Sequence, residues 1–230
     1  MAVYLITGGA RGIGAGIARR LVAAGGTVII ADMEKTKVDG ARSVMCDVSD
    51  EAQVASLLMG IETLEGQLNG LVCNPGCMVR NPVERMTLEE WNSVLATNFT
   101  STFLLVKAAA PLLRAATGAV VTITSTRAQI PGPDTEAYAA SKRRLLALTR
   151  ALAVSLGPEI RVNCISPGWT DTGHDKLAPG DHGQPPAGRV GTAEDLAELA
   201  AFLLSDKAGF VTGAEFIADG GLTRKMIYAD

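Results

Sequence analysis

The chain has 230 residues, 47% of them hydrophobic, with 25 glycines and a net charge of −3. That length suits one α/β domain, and the apolar share is ample for a buried core. The mild acidity and the absence of any Lys/Arg run argue against a nucleic-acid or anionic-membrane surface, and no apolar run reaches the roughly 18 residues of a membrane span.

In chain order, the first apolar run, 3–7, reads as a buried strand, because the glycines that follow it do not form a cleavage site. Residues 5–14 read LITGGARGIG, a strand, then glycines, then a helical pattern from Ile13 to about residue 25. Gly8, Gly12 and Gly14 give G-x-x-x-G-x-G. Glycines let a backbone turn tightly and approach a pyrophosphate, and a helix N-terminus offers it free N–H groups and a positive dipole. The second run, 27–31, ends at Asp32, 20 residues after Gly12. A carboxylate there can accept both ribose hydroxyls of NAD.

Only residues 33–41 separate this run from the third strand. A parallel crossover with its helix needs at least about 10–12 residues, so a full helix hardly fits. The third run, 43–46, leads into Asp47 and Val48, where an acid meets the adenine edge. An amphipathic helix is expected over 50–65, a strand over 70–74 and a helical stretch over 87–115, in which Asn98 breaks an apolar face. The run 119–125, AVVTITS, places Ser125 at the carboxyl edge of the sheet.

A helix over 135–157 holds EAYAASKRR. Tyr138 and Lys142 are four apart and share one face. A free phenol keeps its proton to about pH 10, and a nearby ammonium favours the phenolate. Asp134 or Thr135 serves as N-cap, which puts Tyr138 in the first turn, where the dipole also favours a phenolate. Strands over 160–166 and 214–218 flank the Gly/Pro-rich stretch 173–188, which reads as a mobile loop, and a helix over 192–205.

Most of the runs lack polar alternation, as parallel strands covered on both faces do. Strands alternating with helices predict one doubly wound, Rossmann-like α/β domain over 1–230, with a seven-stranded, mainly parallel sheet. The helices over 99–113 and 135–157 are apolar beyond one face and call for a subunit interface or further burial within the monomer. Cys46, Cys73, Cys77 and Cys164 form no CxxC pair, which fits a reducing cytoplasm. Asp171, His174, Asp175, Asp181 and His182 gather in one loop without metal-ligand spacing, so a solvated lid is read there and no metal.

TGGARGIG (7–14), Asp32, Asp47-Val48, Asn98, Ser125, YAASK (138–142), SPGWTDT (166–172) and IADGG (217–221) together resemble the short-chain dehydrogenase/reductases, across nearly the whole chain. The resemblance implies a nicotinamide cofactor, NAD by the presence of Asp32, and a small-molecule alcohol or carbonyl substrate. It implies Tyr138 as general acid/base and Lys142 as the group that lowers its pKa and binds the nicotinamide ribose. Ser125 would hold the substrate oxygen, and Asn98 would anchor a water leading to Lys142. Gly8, Arg11, Gly12, Ile13 and Gly14 would cradle the phosphates. Asp32, Asp47 and Val48 would meet the adenosine, Asn74 and Gly76 the middle of the cofactor, and Pro167, Gly168, Thr170 and Thr172 the nicotinamide end. It implies a homotetramer or a dimer. The family's usual Asn-Asn-Ala-Gly stands here as Cys73-Asn74-Pro75-Gly76, which removes one backbone N–H. A non-catalytic dinucleotide-binding sensor of the same fold is the alternative. A reductase of enoyl thioesters is a third reading, against which the four-residue Tyr–Lys spacing stands.

Overall fold

A computed structural model describes residues 1–173 and 176–226. In chain order the elements are β1 (Val3–Thr7), α1 (Gly12–Ala23), β2 (Thr27–Asp32), β3 (Ala41–Met45), α2 (Glu51–Glu65), β4 (Gly70–Cys73), α3 (Leu88–Leu95), α4 (Ser101–Ala115) and β5 (Ala119–Ile123). There follow α5 (Glu136–Leu156), β6 (Arg161–Pro167), the short β7 (Thr170–Asp171) and β8 (Gly191–Thr192), α6 (Ala193–Leu204) and β9 (Glu215–Ala218). Seven strands form one sheet in the order β3-β2-β1-β4-β5-β6-β9, every neighbouring pair parallel; β7 and β8 pair separately.

Side-chain parity divides the core between the two faces, as the period of two in a strand requires. Leu5, Ile29, Ala31, Leu71, Cys73 and Val120 bury against α2 and α4. Ile6, Val28, Ile30, Val72 and Val121 bury against α1 and α6. Gly16 lets α1 and α6 touch: a Cβ there would sit 2.8 Å from the Ala193 Cβ. Thr192 caps α6 by accepting from the Asp195 N–H, and the Asp195 carboxylate accepts from the Thr192 N–H, the reciprocal capping box. Among the described residues no helix is long and apolar enough to cross a membrane.

No helix lies between β2 and β3, as the short spacing implied. The connection instead turns on side-chain oxygens: the Glu34 N–H donates to Asp32, the Thr36 N–H to Ser43 and the Val38 N–H to Thr36. Three local differences from the sequence reading bear on the site. The stretch 87–115 is not one helix, because a π-helical turn, Ala96–Thr100, joins α3 to α4 and carries Asn98. β5 stops at Ile123, because Ser125 accepts the Arg127 N–H and starts a 3-10 turn, Thr126–Ala128. Thr135 is the N-cap of α5, but its hydroxyl donates to the Gly132 carbonyl and does not cap the helix.

Candidate active site

In a doubly wound sheet, ligands bind beyond the carboxyl ends of the strands, where the strand order reverses. Here the reversal falls between β1 and β4. Thr7, the last residue of β1, ties the two strands: its hydroxyl donates to the Val72 carbonyl and receives the Asn74 N–H. The Asn74 amide donates to the Gly8 carbonyl at 2.7 Å, so the two loops at the crevice are joined. A cleft of about 510 Å³ opens there, lined by Gly8, Arg11, Gly12, Asp32, Asp47, Val48, Asn74, Pro75, Gly76 and Thr172, among others.

The glycine turn is shaped by need. Gly8 has φ +62°, and a Cβ on it would sit 2.8 Å from the Asn74 carbonyl oxygen. A Cβ on Gly14 would run into the Gly8 carbonyl oxygen. Gly12 opens α1 beside Thr172. Ile13, by contrast, packs against the α1–α6 core. Asp32 is held rigidly: one carboxylate oxygen accepts from the Ala10 N–H at 2.9 Å and the other from the Glu34 N–H at 3.1 Å. Arg11 pairs with Glu34 at 3.3 Å, both exposed. The Asp47 carboxylate accepts from the Ser49 N–H and hydroxyl, while Val48 is buried beside it.

The second half of the site is built on α5. Lys142 is 3% exposed, and its ammonium donates to the Ile123 carbonyl at 3.0 Å and the Pro75 carbonyl at 3.4 Å. The ammonium also lies 5.7 Å from the centroid of the Tyr138 ring. Burial lowers the Lys142 pKa to about 8. Burial also raises the Tyr138 phenol above its ordinary value, opposed by a hydrogen bond with Ser125 and by the charge of Arg127. The sequence reading anticipated a depressed phenol; in the folded chain desolvation outweighs the favourable neighbours.

Asn98 is fully buried. Its Oδ1 accepts from the Cys77 N–H, and its Nδ2 donates to the Cys77 carbonyl and the Ser141 hydroxyl. Ser141 in turn donates to the Tyr138 carbonyl. The Asn98 side chain is thus a clamp between the 73–77 turn and the first turn of α5. Ser141 and Glu34 went unnoticed in the sequence. The first lies inside YAASK at the position facing Asn98, and nothing in the sequence links the second to Arg11.

At the far end, Pro167 closes β6, and Gly168 is pressed so close to Asp219 that a Cβ on it would collide with that side chain. The Thr170 hydroxyl donates to the Gly168 carbonyl and does not line the cleft, whereas Thr172 does. Within the stretch read as a mobile loop, residues 176–188 hold more structure: Pro179–Gly183 forms a 3-10 turn, and the Ala187 N–H donates to the Gly220 carbonyl. His174 and Asp175 lie outside the described residues. Asp171 and Asp181 each accept from a nearby backbone N–H, of Gly173 and Ala178, and His182 accepts from the Val190 N–H. Among the described residues the four cysteines are free thiols, three of them buried.

A family model described as Enoyl-(Acyl carrier protein) reductase matches residues 8–223. The chain belongs to the short-chain dehydrogenase/reductase family. It is 40% identical to an uncharacterized oxidoreductase of Thermotoga maritima, over 99% of this chain and 98% of that protein. It is 38% identical to an inactive 2-(S)-hydroxypropyl-CoM dehydrogenase 2 of Xanthobacter autotrophicus, over 90% and 99%. Among solved structures it resembles a 3-ketoacyl-(acyl-carrier-protein) reductase of Brucella melitensis complexed with NADH, with a TM-score of 0.90 and 30% identity over 96% of this chain and 98% of that one. The family places the protein among oxidoreductases that bind a nicotinamide dinucleotide.

Proposed function

We propose that this protein is an NAD(H)-dependent alcohol dehydrogenase or carbonyl reductase, with Tyr138 as its general acid/base. The observation that carries this reading is the meeting of Tyr138, Ser125 and buried Lys142 at the same sheet edge as the glycine turn. The glycine turn fits the dinucleotide by its tightness, because side chains at Gly8 and Gly14 would strike the Asn74 and Gly8 carbonyl oxygens and force the turn open. When bound, the nicotinamide supplies or accepts the hydride. Tyr138 gives its proton to the carbonyl oxygen on reduction and takes one from the hydroxyl on oxidation. Ser125 orients that oxygen. Lys142, held by two backbone carbonyls, presents its ammonium to the phenol and the nicotinamide ribose. Asn98 fixes the turn on which both depend.

NAD over NADP is supported by Asp32 and by the Arg11–Glu34 pair. A 2′-phosphate would meet the fixed carboxylate of Asp32, and the cation nearest to relieving it is engaged with Glu34. The four-residue Tyr–Lys spacing favours carbonyl over enoyl chemistry. The exposed apolar residues Leu88, Phe103 and Val154 on α3, α4 and α5 support a homotetramer or dimer. Free thiols fit a reducing cytoplasm. A non-catalytic dinucleotide sensor stays as the second reading, because one relative at 38% identity is named inactive.

Oxidation of NADH across a panel of carbonyl compounds separates the two readings. Tyr138→Phe keeps the ring and loses the proton, so turnover is expected to drop 10²–10⁴-fold, by the usual worth of acid–base catalysis, with NADH binding retained. Turnover near that of wild type would remove Tyr138 from the mechanism.

A further inference from the structure

Arg127 stands two residues beyond Ser125, in the 3-10 turn that leads out of β5, and its own N–H donates to the Ser125 hydroxyl at 3.2 Å. Its side chain reaches to the loop that leads into α5, where its Nη1 lies against Gly132; a Cβ at that position would collide with it. The guanidinium therefore spans the two segments that carry Ser125 and Tyr138. It is half-buried, and its charge acts on the Tyr138 hydroxyl.

Several arginines of the fold are tied up in ion pairs, while Arg80, Arg85, Arg114, Arg143, Arg144 and Arg224 form none among the described residues, and none of these shifts the Tyr138 phenol. Arg11, Arg19, Arg20, Arg42 and Arg189 each pair with a carboxylate. Among the described residues none pairs with Arg127. The neighbouring Gln129 is also engaged, donating to Glu215. Arg127 is the cation whose charge favours the ionised Tyr138 phenol, while the Lys142 ammonium, 5.7 Å from the ring centroid, is already satisfied by carbonyls. A planar guanidinium with free donors next to the reacting hydroxyls binds a carboxylate in a two-pronged fit and leaves a neutral group unmatched.

Resting on the oxidoreductase reading above, we propose that Arg127 binds a carboxylate of the substrate, so that the enzyme acts on short hydroxy acids and their oxo acids. The acid group lies near the reacting carbon, because the Arg127 charge reaches the Tyr138 hydroxyl that handles its proton. Gly132 is part of the device: its missing side chain leaves the guanidinium its place.

Matched pairs test this, each a short oxo acid and its methyl ester, assayed for NADH oxidation. Wild type is expected to favour the acid by roughly tenfold to hundredfold in kcat/KM, the range for hydrogen bonds to charged groups. Arg127→Gln abolishes that preference through KM for the acid; whatever the lost charge does to the Tyr138 phenol falls on kcat for acid and ester alike and cancels in their ratio. Arg127→Lys restores part of it. Gly132→Ala, whose backbone is not in the left-handed region, raises KM for the acid with the charge intact. Equal use of acid and ester by wild type, or an unchanged acid KM in Arg127→Gln, overturns the proposal. Calorimetry of a short unreactive monocarboxylate against the NADH-bound protein reads the site without turnover. Carboxylate binding that Arg127→Gln loses, in a protein that turns over nothing, sinks the oxidoreductase reading and sustains the anion site. Turnover without acid preference does the reverse, and loss of both sinks both.

Discussion

Lys142 shows what one buried charge costs and what it serves. Its ammonium has left water for two carbonyls and the face of a phenol ring, and its pKa falls from 10.5 to about 8. A lysine depressed in the folded state binds its proton more weakly there than when unfolded. Between about pH 8 and 10.5 the unfolded chain therefore holds more protons, and stability rises with pH across that window. Below it the buried charge is a standing penalty. Wild type is expected to gain roughly 2–3 kcal/mol relative to Lys142→Met between pH 7.5 and 10.5, read from urea unfolding at a series of pH values. Parallel profiles for the two proteins would mean that Lys142 titrates in the fold as it does in water. Asp32 is the other residue with a sharp consequence. Two backbone N–H groups aim its carboxylate at the cleft. Asp32→Ser should weaken NAD and relieve the bias against NADP, seen as a change in the ratio of kcat/KM for the two cofactors. A wild type that prefers NADP would show that Arg11 and the lysines that follow Asp32 outweigh the carboxylate.

At the scale of elements, α1 and α6 approach through a residue without a side chain. In Gly16→Val the new Cβ would lie 2.8 Å from the Ala193 Cβ and 3.0 Å from its carbonyl oxygen, so the helices must part. Overpacking of this kind costs about 1–3 kcal/mol, expected as a lower urea midpoint at unchanged slope. A midpoint equal to that of wild type would show that the pair can slide apart freely. The elements themselves were legible, since unbroken β-branched runs and helical stretches mark a parallel sheet without any tertiary information. The missing helix after β2 was legible too, from length alone. The π turn was not, because apolar periodicity runs through 87–115 and only the buried bonds of Asn98 to Cys77 reveal the extra residue. The glycine turn, Asp32 and the Tyr–Lys pair stood out as spacing. The direction of the Tyr138 shift did not, because a sequence shows which charges are near and not how much water is lost. The partners of Arg11 and Asn98 were hidden for the same reason: side-chain pairing over long sequence distances leaves no local pattern.

On the scale of the whole molecule, surfaces without cover are the open account. Val154 is 85% exposed on α5, although that helix also carries Tyr138 and Lys142, and Leu88 is 73% exposed at the start of α3. Association through this face would shield them and hold α5, with Tyr138 and Lys142, in place. Light scattering at micromolar concentration is expected to report two or four chains per particle, and Val154→Asp is expected to lower that number. A monomeric wild type would refute the interface.

The two faces of the sheet also differ in when they can be closed. The face under α2 and α4 draws its core from residues 3–162. The other joins Ile6, Ile17 and Ile30 to Leu196, Leu203 and Ala208, so the covering helix comes from the last sixth of the chain. During synthesis the ribosome releases the N-terminus first, at roughly 5–20 residues per second. Ile6 and Ile30 meet α1 early, but Val72 and Val121 wait, wet on one side, until Leu196 is made, which over the 124 and 75 residues of separation takes roughly 4–25 seconds at that pace. The half of the sheet beyond the binding turn thus acquires its cover on this face only after almost everything before it in the chain has been made, and the half-covered sheet is where a chaperone would have its longest opportunity.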